Sequence, residues 1–260
     1  INDKLGSDSY RDVIYSDRLN HASIIDATRL CRVESVHRKI YEHANVDDLR
    51  KSLETDRSSD YRFGFVATDG VFSMDGDISP LDKVAKLGSE HGAMVYVDDA
   101  HGEGVLGEKG KGIVSHYHLD HRKVQVEMGT FSKAPGAVGG YVTGSRDMVD
   151  YLRVFARSSM FTASLPAATC AGITEAFRVM EAEAEHRERL WQNARRLHAG
   201  LRGAGLEVPA LESPIITVFL GHDALLWTVS RDLALAGVKC GNVTFPAVPR
   251  GEGILRLSVS

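Results

Sequence analysis

Cysteine and tryptophan are scarce in this sequence, which has three cysteines and two tryptophans among its 260 residues. Cys31, Cys170 and Cys240 are odd in number and far apart, so they do not suggest a disulfide framework. Chains without such a framework are typical of a reducing compartment, and we expect the protein to be cytoplasmic.

The sequence also lacks a long apolar run and an excess of positive charge. Its longest uncharged stretch, residues 158–174, contains Pro166 and several hydroxyl side chains, whereas a membrane-spanning helix needs about 20 apolar residues. We therefore expect no integral membrane segment. The formal net charge of −4 gives no electrostatic reason to expect a nucleic acid as a partner.

What the sequence does contain is an alternation of short β-type runs with longer helical patterns. Strands are predicted at 12–16, 35–41, 62–68, 93–98, 123–128 and 137–143, with helices at 22–32, 46–54 and 80–91 between them. This alternation predicts an α/β fold, with a mostly parallel sheet covered by helices on both faces. Helical patterns dominate residues 146–201, and residues 215–260 contain three strand patterns around one helix.

These patterns divide the chain into a large domain, residues 1–178, and a smaller C-terminal α+β domain, residues 179–260. The sequence begins at Ile1 rather than at Met and ends at Ser260 within a strand-like run. We therefore expect a piece of a longer protein, in which the large domain has a further N-terminal part and the small domain continues.

Two motifs resemble binding sites but have better structural explanations. Residues 102–107 fit the G-x-G-x-x-G dinucleotide fingerprint, but no apolar helical pattern follows, and two acidic residues at the end of the preceding strand would oppose a pyrophosphate. His116, His118 and His121 have a spacing found in metal proteins, yet their segment is polar and follows a glycine-rich loop. We expect an exposed loop there and no metal.

A lysine lies within a turn of small residues, GTFSKAPGAVGG at 129–140. A buried or charge-crowded lysine amine loses its proton and becomes a nucleophile toward carbonyl groups, and Lys133 is placed for this chemistry. Thr130 and Ser132 add hydroxyl groups, which suit a phosphate together with backbone N–H groups. The segment fits a Schiff-base lysine beside a phosphate site, as pyridoxal 5′-phosphate (PLP) requires; an exposed loop lysine is the alternative.

A carboxylate ends the predicted strand at 93–98. Asp98 is therefore expected in the crevice where α/β sheets bind ligands. A carboxylate held against the pyridine nitrogen of PLP favours the protonated ring through a charge-assisted hydrogen bond. The alternative is an acidic cap of the next element, and Asp99 is expected to be such a cap or a structural hydrogen-bonding group.

Two further residues have both a functional and a structural interpretation. His21 opens the helix after the first strand, where an imidazole can stack on a planar ring or serve only a structural partner. Arg256 alternates with Leu255 and Leu257 in the last strand pattern, so it points away from their face. It either faces solvent or binds a carboxylate through two hydrogen bonds.

Six segments together resemble the α-oxoamine synthases, a family of PLP enzymes that includes serine palmitoyltransferase, 8-amino-7-oxononanoate synthase, 5-aminolevulinate synthase and 2-amino-3-ketobutyrate CoA ligase. They follow the family's order along the whole chain: SDRLNHASIID (16–26), TDGVFSMDGDISPL (68–81), VDDAHGEGVLGEKGKG (97–112), GTFSKAPGAVGGYV (129–142), FTASLP (161–166) and FPAVPRGEGILRLS (245–258). The resemblance implies the fold-type I architecture of PLP-dependent transferases.

The resemblance also implies the catalytic residues. Lys133 would hold PLP covalently as the internal aldimine, Asp98 would meet the pyridine nitrogen, and His21 would stack on the ring. Once the substrate has displaced it, Lys133 would remove the proton from the α-carbon of the amino acid.

Five residues would contact the cofactor or the substrate, if the resemblance holds at their positions. Ser73 and His101 would hydrogen-bond the phenolic oxygen of PLP. Thr130 would bind its phosphate, and Thr162 would reach the phosphate in the partner subunit. Arg256 would bind the carboxylate of the amino acid.

The implied reaction is the condensation of a small amino acid (serine, glycine or alanine) with an acyl thioester on CoA or on a carrier protein. It usually releases CO2 and gives an α-amino ketone. Family members are dimers with active sites at the subunit boundary, so we expect a homodimer. Two alternatives stay open: an aminotransferase on the same fold, and a non-catalytic subunit of a heterodimeric synthase, which would be expected to lack the lysine found at 133.

Overall fold

The computed structural model describes residues 11–31, 36–59 and 61–260. The described chain forms two compact units. The first contains the residues up to Val71 together with Ser79–Ala182, and the second contains Phe72–Ile78 together with Glu183–Ser260. The division predicted from the sequence, at 178/179, places residues 72–78 in the large domain. The structure groups these residues with the second unit.

A six-stranded sheet forms the centre of the first unit. Its strands are β1 (Arg11–Asp17), β2 (Val36–Tyr41), β3 (Tyr61–Asp69), β4 (Met94–Asp98), β5 (Val126–Thr130) and β6 (Gly140–Gly144). Their order is β2-β1-β3-β4-β5-β6; β1 to β5 are parallel to their neighbours, and β6 is antiparallel to β5. The sheet is therefore mostly parallel, as predicted.

Helices connect these strands. They are α1 (Ala22–Leu30), α2 (Val46–Thr55), α3 (Leu81–His91), α4 (Ile113–His116), α5 (Arg146–Phe155), α6 (Arg157–Met160) and α7 (Ala167–Ala182), with 3-10 turns at Asp56–Ser58, Glu108–Gly110 and His121–Lys123. Local signals fix their ends: Asn45 Oδ1 accepts from the Asp48 N–H at 3.0 Å where α2 begins, and Gly92, in the left-handed region, ends α3. The predicted ends at 32 and 35 lie outside the described residues.

The core of the first unit lies along the central strands. Val66 of β3 and both Val95 and Val97 of β4 are fully buried, and so are Leu49 of α2 and Leu81 of α3. Strands with near-continuous apolar runs are typical of a sheet covered on both faces. Burial of these side chains fixes the strand register, and with it the places where the strands end.

The second unit has its own sheet and core. Strands β7 (Ile215–Gly221), β8 (Gly241–Val243) and β9 (Gly253–Ser258) pair antiparallel in the order β7-β9-β8, and its helices are α8 (Ala184–Gly203) and α9 (Asp223–Leu235). Val218, Leu226 and Leu255 form the core. This is the predicted arrangement of three strands and one helix within residues 215–260.

Residues 72–78 are joined to the second unit by hydrogen bonds. The buried Ser213 hydroxyl donates to the Gly76 carbonyl oxygen at 2.6 Å, and the Ile78 N–H donates to Glu212 Oε2 at 2.9 Å. A segment early in the sequence therefore completes a unit built otherwise from the end of the chain.

The three cysteines are free thiols, in agreement with the sequence-based expectation. Within the described ranges, no helix combines the length and the apolar character that crossing a lipid bilayer requires.

Candidate active site

The carboxyl ends of β3, β4 and β5 bring polar side chains to one edge of the sheet. Asp69 at the end of β3 is in register with Asp98 at the end of β4, and Asp98 is in register with Met128 of β5. Thr130 ends β5, and Lys133 lies in the turn that follows. Because α/β sheets bind ligands at such carboxyl ends, this edge is the candidate active site.

Asp69 connects the predicted residues Lys133 and Asp98 electrostatically. It is 3% exposed, and its Oδ1 atom has no hydrogen-bond partner in the described part of the chain. Burial, and then the Asp98 carboxylate, raise the pKa of Asp69 to about 8, whereas the His21 N–H and the Lys133 amine lower it. Asp98 and the turn that carries Lys133 follow adjacent parallel strands, so they lie at the same edge of the sheet.

Asp69 is not among the site residues predicted from the sequence. The signal that could have found it is the one used for Asp98, a carboxylate directly after an apolar strand. The two acids end adjacent parallel strands, so the rule that places one at the ligand edge of the sheet places the other there as well.

Asp98 is 7% exposed, and its Oδ1 accepts from the Ala100 N–H at 3.1 Å. This bond holds the carboxylate at the end of β4. The next acid, Asp99, has the predicted structural role, because its Oδ2 accepts from the Ile113 N–H at 2.8 Å where α4 begins.

One glycine of the G-x-G-x-x-G pattern, Gly102, and a glycine that follows the pattern, Gly112, make room for Asp99. A Cβ atom at Gly102 would overlap Oδ1 of Asp99, and one at Gly112 would overlap Oδ2. Gly112 also has a φ of +86°, which residues with a side chain rarely adopt. These requirements explain Gly102 and Gly112 without a dinucleotide.

The turn that carries Lys133 is held by backbone hydrogen bonds and by an aromatic contact. The Phe131 N–H donates to the Gly139 carbonyl at 3.0 Å, and the Ala137 N–H donates to the Phe131 carbonyl at 2.6 Å. The Phe131 ring stacks on Tyr141 with centroids 5.3 Å apart. Lys133 itself is exposed on this turn.

Two hydroxyl groups lie at the base of this turn. Thr130 Oγ1 donates to the Gly139 carbonyl at 3.2 Å and lies 2.8 Å from Ser132 Oγ. The Ser132 N–H donates to Thr130 Oγ1 at 3.3 Å. Neighbouring hydroxyls beside a glycine-rich backbone are suited to binding a phosphate.

His21 is attached to the same edge through its backbone. Its N–H donates to Asp69 Oδ2 at 3.0 Å, and its exposed ring caps α1 directly after β1. His21 therefore lies beside Asp69, at the edge of the sheet where Asp98 ends the adjacent strand.

Two further residues, His101 and Thr162, were predicted to contact the cofactor. His101 lies half-buried in the turn three residues after Asp98, and Thr162 lies exposed between α6 and α7. Their roles toward PLP stay predictions.

Ser73 and Arg256 lie together in the second unit. Arg256 Nε donates to the Ser73 carbonyl at 2.6 Å, and its Nη1 donates to Ser258 Oγ at 2.8 Å. Burial lowers the pKa of the Arg256 guanidinium from its ordinary value. Leu255 on the same strand belongs to the core of the unit, so Arg256 points away from that core, as the alternation predicts.

The three histidines of the other motif do not form a metal centre. His121 Nδ1 lies 2.7 Å from Glu127 Oε1, and His118 has a φ of +52°. Over residues 11–31, 36–59 and 61–260, the group of side chains with metal-ligand spacing is exposed at the start of α8 and includes none of them.

The side chains at the sheet edge fit PLP, the predicted cofactor. An accessible amine, a nearly buried carboxylate and paired hydroxyls are the three kinds of group that its aldehyde, ring nitrogen and phosphate require. Lys133 supplies the amine from the turn after β5, Asp98 supplies the carboxylate from the end of β4, and Thr130 supplies a hydroxyl from the end of β5. The unpartnered Oδ1 of Asp69 adds a buried polar atom beside them.

Comparison with known proteins decides the family. Residues 9–260 match the family model described as aminotransferase class I and II. The chain belongs to this family. This match and the similar proteins described below, which carry the names of α-oxoamine synthases, confirm two predictions. These are the fold-type I architecture and the membership of the α-oxoamine synthase family.

Similar proteins carry names from the α-oxoamine synthases. The chain is 44% identical over 249 residues to 8-amino-7-oxononanoate synthase from Bacillus pumilus and 42% identical over 252 residues to 8-amino-7-oxononanoate synthase 1 from Bacillus subtilis. These alignments cover 96% and 97% of the chain but 62% and 63% of the relatives. The chain therefore spans less than two thirds of their length.

Solved structures give the same grouping. Serine palmitoyltransferase from S. paucimobilis, with a bound PLP–myriocin aldimine, superposes with a TM-score of 0.89 at 33% identity, covering 96% of this chain and 62% of that one. An 8-amino-7-oxononanoate synthase from Francisella tularensis has a TM-score of 0.80 at 27% identity, covering 96% and 71%.

Proposed function

We propose that the protein containing this chain is a PLP-dependent acyltransferase that condenses a small amino acid with an acyl thioester. The observation that carries the proposal is that the buried Asp98 ends β4 at the ligand edge of the sheet, while the exposed Lys133 lies in the turn after the adjacent strand β5. Relatives named 8-amino-7-oxononanoate synthase and serine palmitoyltransferase support this class of reaction.

Lys133 and Asp98 have complementary tasks in this proposal. When bound, PLP supplies a protonated ring that accepts the electron pair left on the α-carbon of the amino acid. Lys133 Nζ holds the cofactor and, once the amino acid has replaced it, takes the α-proton. Asp98 accepts a hydrogen bond from the ring nitrogen and so keeps that nitrogen protonated.

Arg256 binds the carboxylate of the amino acid. Its Nε is directed to the Ser73 carbonyl and its Nη1 to Ser258, so the guanidinium is held in one orientation on β9. A fixed guanidinium can select a carboxylate by geometry as well as by charge. Ser73 and His101 are proposed to contact the phenolic oxygen of the cofactor, and Thr130 its phosphate.

The protein is proposed to act as a homodimer, with Thr162 contributing to the partner's cofactor site. An apolar surface on α5, α6 and the residue after them supports this: Tyr151, Val154, Phe155, Met160 and Phe161 are 40–72% exposed. Exposed apolar groups of this extent are typical of interaction surfaces. A cytoplasmic location also remains a proposal.

The amino acid is serine, glycine or alanine, and the acyl group is carried by CoA or by a carrier protein. A two-step screen identifies both. Each amino acid is first titrated into the PLP-loaded full-length protein while the visible absorbance is followed. Acyl thioesters are then added, and release of free thiol is measured.

The proposal is tested with Lys133→Ala in the full-length protein, with Lys109→Ala as the control because Lys109 is an exposed lysine paired with Glu181. We expect Lys133→Ala to lose the absorbance of PLP bound covalently to the lysine and to lose thiol release, and Lys109→Ala to keep both. Transfer of the amino group to a keto acid without thiol release would instead identify an aminotransferase. A wild-type protein that binds no PLP would be a non-catalytic subunit.

A further inference from the structure

The ring of His21 is oriented by contacts with the helix that follows it. The Ser23 N–H donates to His21 Nδ1 at 3.2 Å, and Ser23 Oγ lies 2.8 Å from the same nitrogen. A backbone N–H can only donate, so Nδ1 must be the acceptor. In the neutral ring the proton therefore lies on Nε2.

The backbone of His21 is held just as firmly. Its N–H donates to Asp69 Oδ2 at 3.0 Å, and the Asp69 N–H in turn donates to Asn20 Oδ1 at 2.8 Å. Asn20 Nδ2 donates to the Ala67 carbonyl at 2.8 Å and to Ser16 Oγ at 2.9 Å. Both Asn20 and Asp69 are nearly buried, so the start of α1 is tied to the ends of β1 and β3.

We propose that Ser23 and Asp69 are positioning residues, which present the His21 imidazole as an Nε2–H donor at the ligand edge of the sheet. Ser23 orients the ring, because its N–H and its hydroxyl group both contact Nδ1. Asp69 sets the backbone from which the ring extends. This inference rests on the proposed function: His21 is predicted to stack on the cofactor, and an Nε2–H at that place can donate a hydrogen bond to the acyl carbonyl of the substrate.

The arrangement accounts for an unusual cap. Ser, Thr, Asp and Asn are the preferred residues at the start of a helix, and histidine is not among them. At position 21 an imidazole nitrogen takes the place of the capping oxygen. The same bond that satisfies the helix terminus thereby selects which ring nitrogen carries the proton.

The first test measures the tautomer directly, without relying on turnover. The protein is labelled with 15N-histidine, and the ring signals of His21 are assigned by their loss in His21→Asn. We expect an Nε2–H pattern in the wild type and in Ser23→Thr, which keeps the hydroxyl, and a partial shift toward mixed tautomers in Ser23→Ala. An Nδ1–H pattern in the wild type would overturn the proposal.

The second test separates positioning from folding. Ser23→Ala loses one neutral hydrogen bond to the ring, so we expect kcat for thiol release to fall roughly two- to tenfold, with the amino-acid KM nearly unchanged and with rescue by Ser23→Thr. Asp69→Asn keeps an oxygen acceptor for the His21 N–H and is expected to lose less kcat than Asp69→Ala. Equal kcat in Ser23→Ala and wild type, at equal circular dichroism, would refute the role of Ser23.

The two proposals fail in different ways. If the protein binds no PLP through Lys133, the proposed function is wrong, while the His21 tautomer can still be observed in the cofactor-free protein. If PLP binds and thiol is released but His21 carries its proton on Nδ1, the positioning role alone is wrong.

Discussion

Replacing Asp69 by asparagine should make the protein progressively more stable than the wild type as the pH rises. Burial and the nearby Asp98 raise the pKa of Asp69 from 3.8 to about 8. Between these two values the folded chain keeps a proton that the unfolded chain has released, so folding takes up a proton and wild-type stability falls as the pH increases. The side-chain amide in Asp69→Asn does not titrate, so the variant is free of this dependence.

The size of the effect follows from the same two values. One proton bound on folding changes the free energy of unfolding by about 1.4 kcal/mol per pH unit, which gives about 3 kcal/mol between pH 5 and pH 7. Asp99 and Glu103 also have raised pKa values because of burial, but they titrate in both proteins and cancel in the difference. The stability difference between Asp69→Asn and wild type is therefore expected to grow across this range.

The assay is urea unfolding without added PLP, followed by far-ultraviolet circular dichroism from pH 5 to pH 8. Amide hydrogen exchange of β3 restricts the measurement to the first unit. Asp120→Asn is the control: Arg122 lowers the pKa of the exposed Asp120 to about 2, so this carboxyl group is ionised in both states above pH 5. Its stability difference should stay flat. A flat difference for Asp69→Asn as well would refute the electrostatic reasoning.

Four further outcomes are expected. Gly112→Ala should lose about 2–3 kcal/mol in urea unfolding, because its φ of +86° and the overlap with Asp99 both oppose a Cβ atom. Leu226→Ala should lose about 2–5 kcal/mol, seen by tryptophan fluorescence, since both tryptophans belong to the second unit. Arg256→Lys should weaken amino-acid binding roughly 10- to 100-fold in absorbance titrations. Thr130→Val should raise the Kd for PLP, measured by equilibrium dialysis.

Each of these has a result that would contradict it. Wild-type stability in Gly112→Ala would mean that Asp99 can move away. An unchanged fluorescence transition in Leu226→Ala would mean that this side chain is not part of the core. Equal amino-acid affinity in Arg256→Lys would remove the guanidinium from the substrate site, and equal PLP affinity in Thr130→Val would remove the hydroxyl from the phosphate site.

The order of strands and helices could be predicted because each element has a local signal. The apolar strand that ends at Asp98 and the glycine after α3 are read directly from neighbouring residues. Two strands begin several residues later than predicted: β6 is Gly140–Gly144 where 137–143 was predicted, and β5 is Val126–Thr130 where 123–128 was predicted. The Asp120 side chain accepts from the Arg122 N–H at 3.0 Å and holds 121–123 in a 3-10 turn, so β5 begins later.

The site was only partly readable for a similar reason. Lys133 and Asp98 stand out because each is a chemically demanding residue in an otherwise apolar or glycine-rich segment. Asp69 becomes informative only when β3 and β4 are known to be adjacent and in register. The orientation of His21 depends on which ring nitrogen Ser23 addresses, and spacing alone does not specify that choice.

The placement of residues 72–78 in the second unit has a consequence for biosynthesis. Gly76 and the Ser213 hydroxyl that it accepts from are 137 positions apart in the chain. At a ribosomal rate of about 5–20 residues per second, the earlier segment waits roughly 7–27 s for its partners to be translated. The second unit is therefore completed only by pairing an early segment with residues translated much later, and an expressed fragment starting at Glu183 would lack the segment of chain that its Ser213, Glu212 and Arg256 bind.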